Sequence, residues 1–163
     1  MKWIDGSEIN FKNMTAESIC EKLTQELWNY ERSQWLSYPE CIQTAAFLID
    51  FDTELQMEGI FTFLENAAGH YAPEMIKAFR TIGDAEDAEI LSEICRLAPP
   101  DSIRKEIAAN HQEYEISSFQ EEHVLCEETV NQIEILENQL YLNTGFDIWP
   151  LLFAYLDSQM QLL

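Results

Sequence analysis

Apolar residues recur every three or four positions along most of this chain, and no stretch alternates at a period of two. After a mixed start with turn residues at Gly6, Asn10 and Asn13, and Lys2-Trp3-Ile4 as an extended arm, the first stripe is Ile19, Leu23, Leu27 and Tyr30. With Thr15 as N-cap and Glu17 in the first turn, it predicts a helix over 15–32. Ser37-Tyr38-Pro39 interrupts, and Pro39 suits the first position of a helix over 39–57. The middle of that helix, Thr44 to Phe51, is apolar nearly all round, which marks it as central. Gly59 predicts a break, and Ile60, Phe61, Phe63 and Leu64 a short helix ending near Asn66, with Gly69 as a left-handed C-cap residue.

Pro73 opens the next helix, with Met75, Ile76, Phe79 and Ile82 inward and Gly83 closing it. Asp84 to Asp87 read as an N-cap and first-turn acids of a helix reaching Leu97, which buries Ala88, Leu91, Ile94 and Cys95. Pro99-Pro100 stops it. Asp101 or Ser102 caps a further helix through Ile103, Ile107 and Ala108 to about Tyr114. Ser118-x-x-Glu121 has the form of a capping box. Phe119, Cys126, Val130, Ile133, Leu136 and Leu140 then predict the longest helix, over 119–142. Asn143-Thr144-Gly145 turns the chain, Asp147 caps, and Ile148 to Leu163 forms a last, densely apolar helix, docked into the core or serving as a dimer contact. The expectation is an all-α fold: one domain over 1–163, with seven or eight mostly antiparallel helices and no internal repeat.

Composition supports a core, since 47% of residues are hydrophobic, and so argues against the disordered class. No apolar run reaches the roughly 18 residues that span a bilayer. The first residues lack a basic segment followed by an apolar one, so the expected location is the cytoplasm. Cys20, Cys41, Cys95 and Cys126 form no Cys-x-x-Cys pair and are expected as buried thiols.

Charge changes the picture more than any other feature. Thirty acids face nine bases, a net charge of −21. From Glu106 onward there are eleven acids and no Lys or Arg, and between Arg32 and Lys77 seven acids and no base. Such a surface repels nucleic acid and anionic membranes and attracts basic proteins, at a cost in self-repulsion. The expected partner is therefore a basic protein, with no direct contact to nucleic acid and none to membrane.

Candidate chemistry is sparse. Asp50, Glu54 and Glu58 follow at i, i+4 and i+8 and share one helix face, where they form an acidic stripe. No Glu-x-x-His accompanies them, as a di-iron site would require, so neither a metal nor another cofactor is expected. His70, His111 and His123 have no catalytic spacing, and neither a phosphate loop nor a nucleophile elbow occurs, so no catalytic residue is assigned and no enzyme is expected.

Glu54 to Gly69 resembles the signature of a bacterial helical family of unknown function that includes a DNA-mimic protein. The family pattern runs Glu-x-Asn-Asn-Gly-Gly-Phe-x-Gln-Phe-Phe-x-Asn-x-x-Gly, followed by a Pro-Glu helix start and an Ile-Gly turn. This chain matches at Glu54, Gly59, Phe63, Asn66, Gly69, Pro73-Glu74 and Ile82-Gly83. It departs at Gln56-Met57-Glu58 and at Thr62. The shared residues read as structural: a helix end, a tight entry and a core aromatic. The resemblance implies an all-α fold, homodimers and a DNA-like display of carboxylates for a basic regulator. Asp50, Glu54, Glu58, Glu121, Glu122, Glu127, Glu128 and Glu134 are the acids expected to form that display. An immunity or antitoxin-type protein that neutralises a basic toxin is the alternative.

Overall fold

The computed structural model describes residues 1–3, 5–100 and 125–162. The helices expected over 101–114 and from 119 to 124, with Glu121 and Glu122, lie outside that range. Among the described residues the chain forms nine α-helices: α1 (Ala16–Glu26), α2 (Arg32–Trp35), α3 (Glu40–Met57), α4 (Gly59–Glu65), α5 (Ala72–Thr81), α6 (Ala85–Leu97), α7 (Glu127–Glu137), α8 (Tyr141–Thr144) and α9 (Trp149–Met160). Short 3-10 turns link several of them. Among these residues the one trace of sheet is an isolated antiparallel bridge between Lys2 and Glu8. The fold is all-α.

α3 is the centre, as its apolar middle predicts. Helices α1, α4, α5 and α9 all pack on it, and α6 packs on α5 and α7. Every residue from Thr44 to Phe51 is buried. Phe51 meets Phe63 and Phe79 edge-on, with ring centroids 5.2 and 5.5 Å apart, the geometry that aromatic quadrupoles favour. Phe79 in turn leans on Tyr141, 5.9 Å away.

The elements depart from expectation where a side chain has somewhere better to go. The first helix stops at Glu26 rather than Arg32. Leu27 to Asn29 tighten into a 3-10 turn and Tyr30 becomes extended, so the Tyr30 ring stacks on buried Trp35 at 4.2 Å. The helix expected over 119–142 is broken as well. Cys126 is extended and exposed, α7 begins at Glu127 and ends at Glu137, and Leu140 is extended before α8. That second break turns fully buried Leu140 and Tyr141 inward. Exposed Cys126 and half-buried Cys95 therefore correct the expectation of four buried thiols, while Cys20 and Cys41 meet it.

Gly59 and Gly69 separate two reasons for a glycine. Gly59 has φ +80°, as a helix break needs. Gly69 is not the left-handed cap the sequence suggests. It is buried in a 3-10 turn (Ala67–Tyr71), and a Cβ there would lie 2.7 Å from the Phe63 carbonyl oxygen and 3.0 Å from that of Leu64. Its constraint is space against backbone. Gly69→Ala should therefore destabilise the fold by about 1–3 kcal/mol, the usual cost of overpacking, read as a lower urea midpoint at unchanged helical circular dichroism.

Candidate functional site

The central helix carries acids on two sides. Asp50 is 3% exposed. An acid so deep requires a partner, because desolvating an unpaired carboxylate is costly. The partner is Arg32 at the start of α2. Its Nε donates to Asp50 Oδ2 at 2.6 Å and its Nη2 to Asp50 Oδ1 at 2.9 Å, and Nη2 also reaches Glu54 Oε1 at 2.9 Å. Glu54 Oε2 accepts from Asn66 Nδ2 at 2.6 Å, and Asn66 Oδ1 accepts from the Ala68 amide at 2.8 Å. A polar chain thus runs from α2 through α3 to the turn after α4. Burial still holds the Asp50 carboxyl above the ordinary range with Arg32 beside it.

This corrects the expected display. Asp50 is buried and Glu54 half-buried, both committed to Arg32, so they present no free carboxylate to a partner. Of that stripe, Glu58 alone is exposed. Glu127, Glu128 and Glu134 are exposed on α7 as expected.

On the other side of α3, Asp52 accepts a 2.5 Å hydrogen bond from the Tyr141 hydroxyl. The Tyr141 amide donates to Asp87 Oδ1 at 2.9 Å. Asp87 is 3% exposed and its neighbour Asp84 6%. Asp84 Oδ1 accepts from the Asp87 amide at 3.1 Å and caps α6 as predicted, but its Oδ2 is buried without a hydrogen-bond partner. Burial first, then the adjacent Asp84 carboxyl, push the Asp87 carboxyl up to about 8. Near neutral pH Asp87 therefore keeps its proton, because two adjacent buried carboxylates cannot both ionise cheaply. Asp87 escaped the sequence reading as a mere first-turn acid. The available signal was its place in the inward series Asp87, Leu91, Ile94, spaced by four and three.

Other acids hold helix starts across the fold. Glu137 Oε1 accepts from the Ile60 amide at the start of α4 at 3.2 Å, and Asp157 Oδ1 from the Ala16 amide at the start of α1 at 3.3 Å. Both sites favour a carboxylate, through free amides and the helix dipole.

Lys22, Arg32, Lys77, Arg80 and Arg96 all face carboxylates in ion pairs. The fold and these sites define a helical domain in which these five cations are tied down and α7 carries no Lys or Arg of its own. The chain matches the family described as DMP19-like protein over residues 36–159. That span is most of the chain, and the chain belongs to this family. Neither the curated proteins nor the solved structures gave a match.

Two outcomes test the buried carboxylates. Arg32→Gln strands Asp50 and should cost about 3 kcal/mol, the low end for a broken buried pair because Arg32 is partly exposed; chemical denaturation reads it. Asp87 has a folded pKa above its ordinary 3.8. The stabilisation from its proton is complete below about pH 4 and drains away as pH rises through about 8. An Asn amide can stand in for the protonated carboxyl. Asp87→Asn should therefore flatten the fall in urea midpoint between about pH 5 and about pH 9.

Proposed function

We propose that this protein is a non-enzymatic acidic interaction module, a DNA mimic that occupies the DNA-binding face of a basic regulator. The observation that carries this reading is the exposed row Glu127, Glu128 and Glu134 on α7, in a stretch of chain that contains no Lys or Arg from Glu106 to its end. Glu127 and Glu134 are two helical turns apart, about 10.5 Å along the axis. Three phosphate steps along one strand of duplex DNA cover about the same distance. The sequence resemblance to a family with a DNA-mimicking member points the same way. Glu58 extends the candidate surface, whereas Asp50 and Glu54 are withdrawn from it by Arg32.

The alternative, neutralisation of a basic toxin, shares the charge but requires no likeness to DNA. Capture of basic proteins from lysate on the immobilised chain, eluted by a salt step, separates the two. For the mimic, excess duplex DNA competes the partner away. The variant Glu127→Lys/Glu128→Lys/Glu134→Lys should lose at least about tenfold in affinity, since like charges then face each other across the contact. Its helical circular dichroism should match the parent's, and its stability should fall by no more than about 2 kcal/mol, because Lys at the start of α7 opposes the helix dipole while the lower net charge relieves self-repulsion. A partner that DNA does not displace argues for the toxin reading. Unchanged affinity in the variant removes α7 from the contact.

A further inference from the structure

Asp84 and Asp87 line a cavity of about 290 Å³ together with Glu86, Gln139, Tyr141, Thr144 and Phe146. Three of these seven residues are acids and none is a base. Asp84 is more than nine-tenths buried, and its Oδ2 has no hydrogen-bond partner. The remaining lining adds hydroxyl and amide groups and the half-exposed ring of Phe146. We propose that this cavity is a receptor for a hydrogen-bonding organic cation, a guanidinium or primary ammonium group such as an Arg or Lys side chain of a basic partner, which would satisfy Asp84 Oδ2. The inference rests on the acidic-module reading for its source of cations, and it names a contact separate from α7.

A metal ion fits less well, because among the described residues no group of three or more His, Cys, Asp or Glu is arranged to hold one. An anion is excluded by the three carboxyls. The start of α6 adds roughly half a positive charge, which opposes a cation but is outweighed by Asp84, Glu86 and the ionisable Asp87. A planar guanidinium can use several donors at once and lie against an aromatic face, which Phe146 offers. The seated cation takes Asp84 Oδ2 as its partner and favours the ionised form of Asp87. Each ligand bound therefore releases up to one proton, which goes to solvent. Asp87, held at about 8, keeps that proton near neutral pH, so affinity should rise as pH is raised through this value. Tyr141, whose amide is held by Asp87 and whose hydroxyl is held by Asp52, would report on occupancy.

The test titrates n-butylguanidinium into the isotope-labelled full chain and follows amide NMR shifts, with tetramethylammonium at equal concentration as a cation that cannot donate hydrogen bonds. The expected result is saturable shifts at the Asp87 and Tyr141 amides with n-butylguanidinium alone, tightening from about pH 6.5 to about pH 9. Asp84→Asn keeps an acceptor for the helix cap and should weaken binding about tenfold, as loss of a charge-assisted bond does. Exposed Phe146→Ser, which leaves the core intact, should also weaken it. Equal shifts with both cations, or unchanged binding in Asp84→Asn, would overturn the proposal. If the guanidinium fails to bind while a basic partner is still captured and displaced by DNA, the cavity proposal falls and the module reading stands. If it binds at the cavity while no basic partner is captured, the module reading falls instead.

Discussion

A domain built from many short helices has many helix starts, and each start leaves amide donors that the helix cannot satisfy itself. This chain meets part of that demand with side-chain oxygens, some local and some from distant helices. Thr15 caps α1 from its own turn, and Asp157 of α9 adds an acceptor at Ala16. Glu137 of α7 serves Ile60 at the start of α4. Asp84 caps α6, and Asp87 of α6 serves Tyr141 at the start of α8. Asp157, Glu137 and Asp87 therefore fasten helices distant in sequence. Each uses a carboxylate where dipole and free amides already favour negative charge. Part of the acidity is thus consumed by architecture.

Arg32 shows the opposite economy, one cation holding several elements. It sits in a four-residue helix that has no hydrophobic mass beyond Trp35, yet it fixes Asp50 and Glu54 on α3. Glu54 passes the constraint to Asn66, and Asn66 orders the turn in which Gly69 lies against the carbonyls of Phe63 and Leu64. Glu54, Phe63, Asn66 and Gly69 thus meet in one place. They set how α3, α4 and α5 join. Packing and hydrogen bonding account for the placing of these four residues.

The helices were legible because their apolar spacing is regular and their ends carry Pro, Gly or capping residues. α3, α5 and α6 fall close to the expected bounds for that reason. Where the reading failed, a local rule lost to a tertiary contact. Leu140 fits the stripe of α7, but the chain breaks so that Leu140 and Tyr141 can enter the core. Gly69 has the place of a helix cap, but its constraint comes from carbonyls it approaches in space. The acidic stripe was the instructive failure. Spacing puts Asp50, Glu54 and Glu58 on one face but does not say which way that face points. Asp50 stands between Ile49 and Phe51 in a run buried throughout, and such a position demands a cation. Arg32, eighteen residues earlier, could be matched to it only in three dimensions.

Sorting the acids by what they touch also sharpens what the net charge can mean. Asp50, Glu54, Asp84, Asp87, Glu137 and Asp157 are engaged in ion pairs or helix starts. Their charge contributes to solubility and to the long-range field, but their geometry is set by the fold. Among the described residues Glu58, Glu127, Glu128 and Glu134 make no ion pair and hold no other helix's start, and they are exposed. Like charges gathered on one short helix repel each other and cost stability. Their first two members gain something back at the start of α7, where acids are favoured. Glu134, two turns beyond Glu127, has no such compensation among the described residues. A partner of opposite charge would supply it, which favours α7, rather than the acidic centre of the sequence, as the proposed contact.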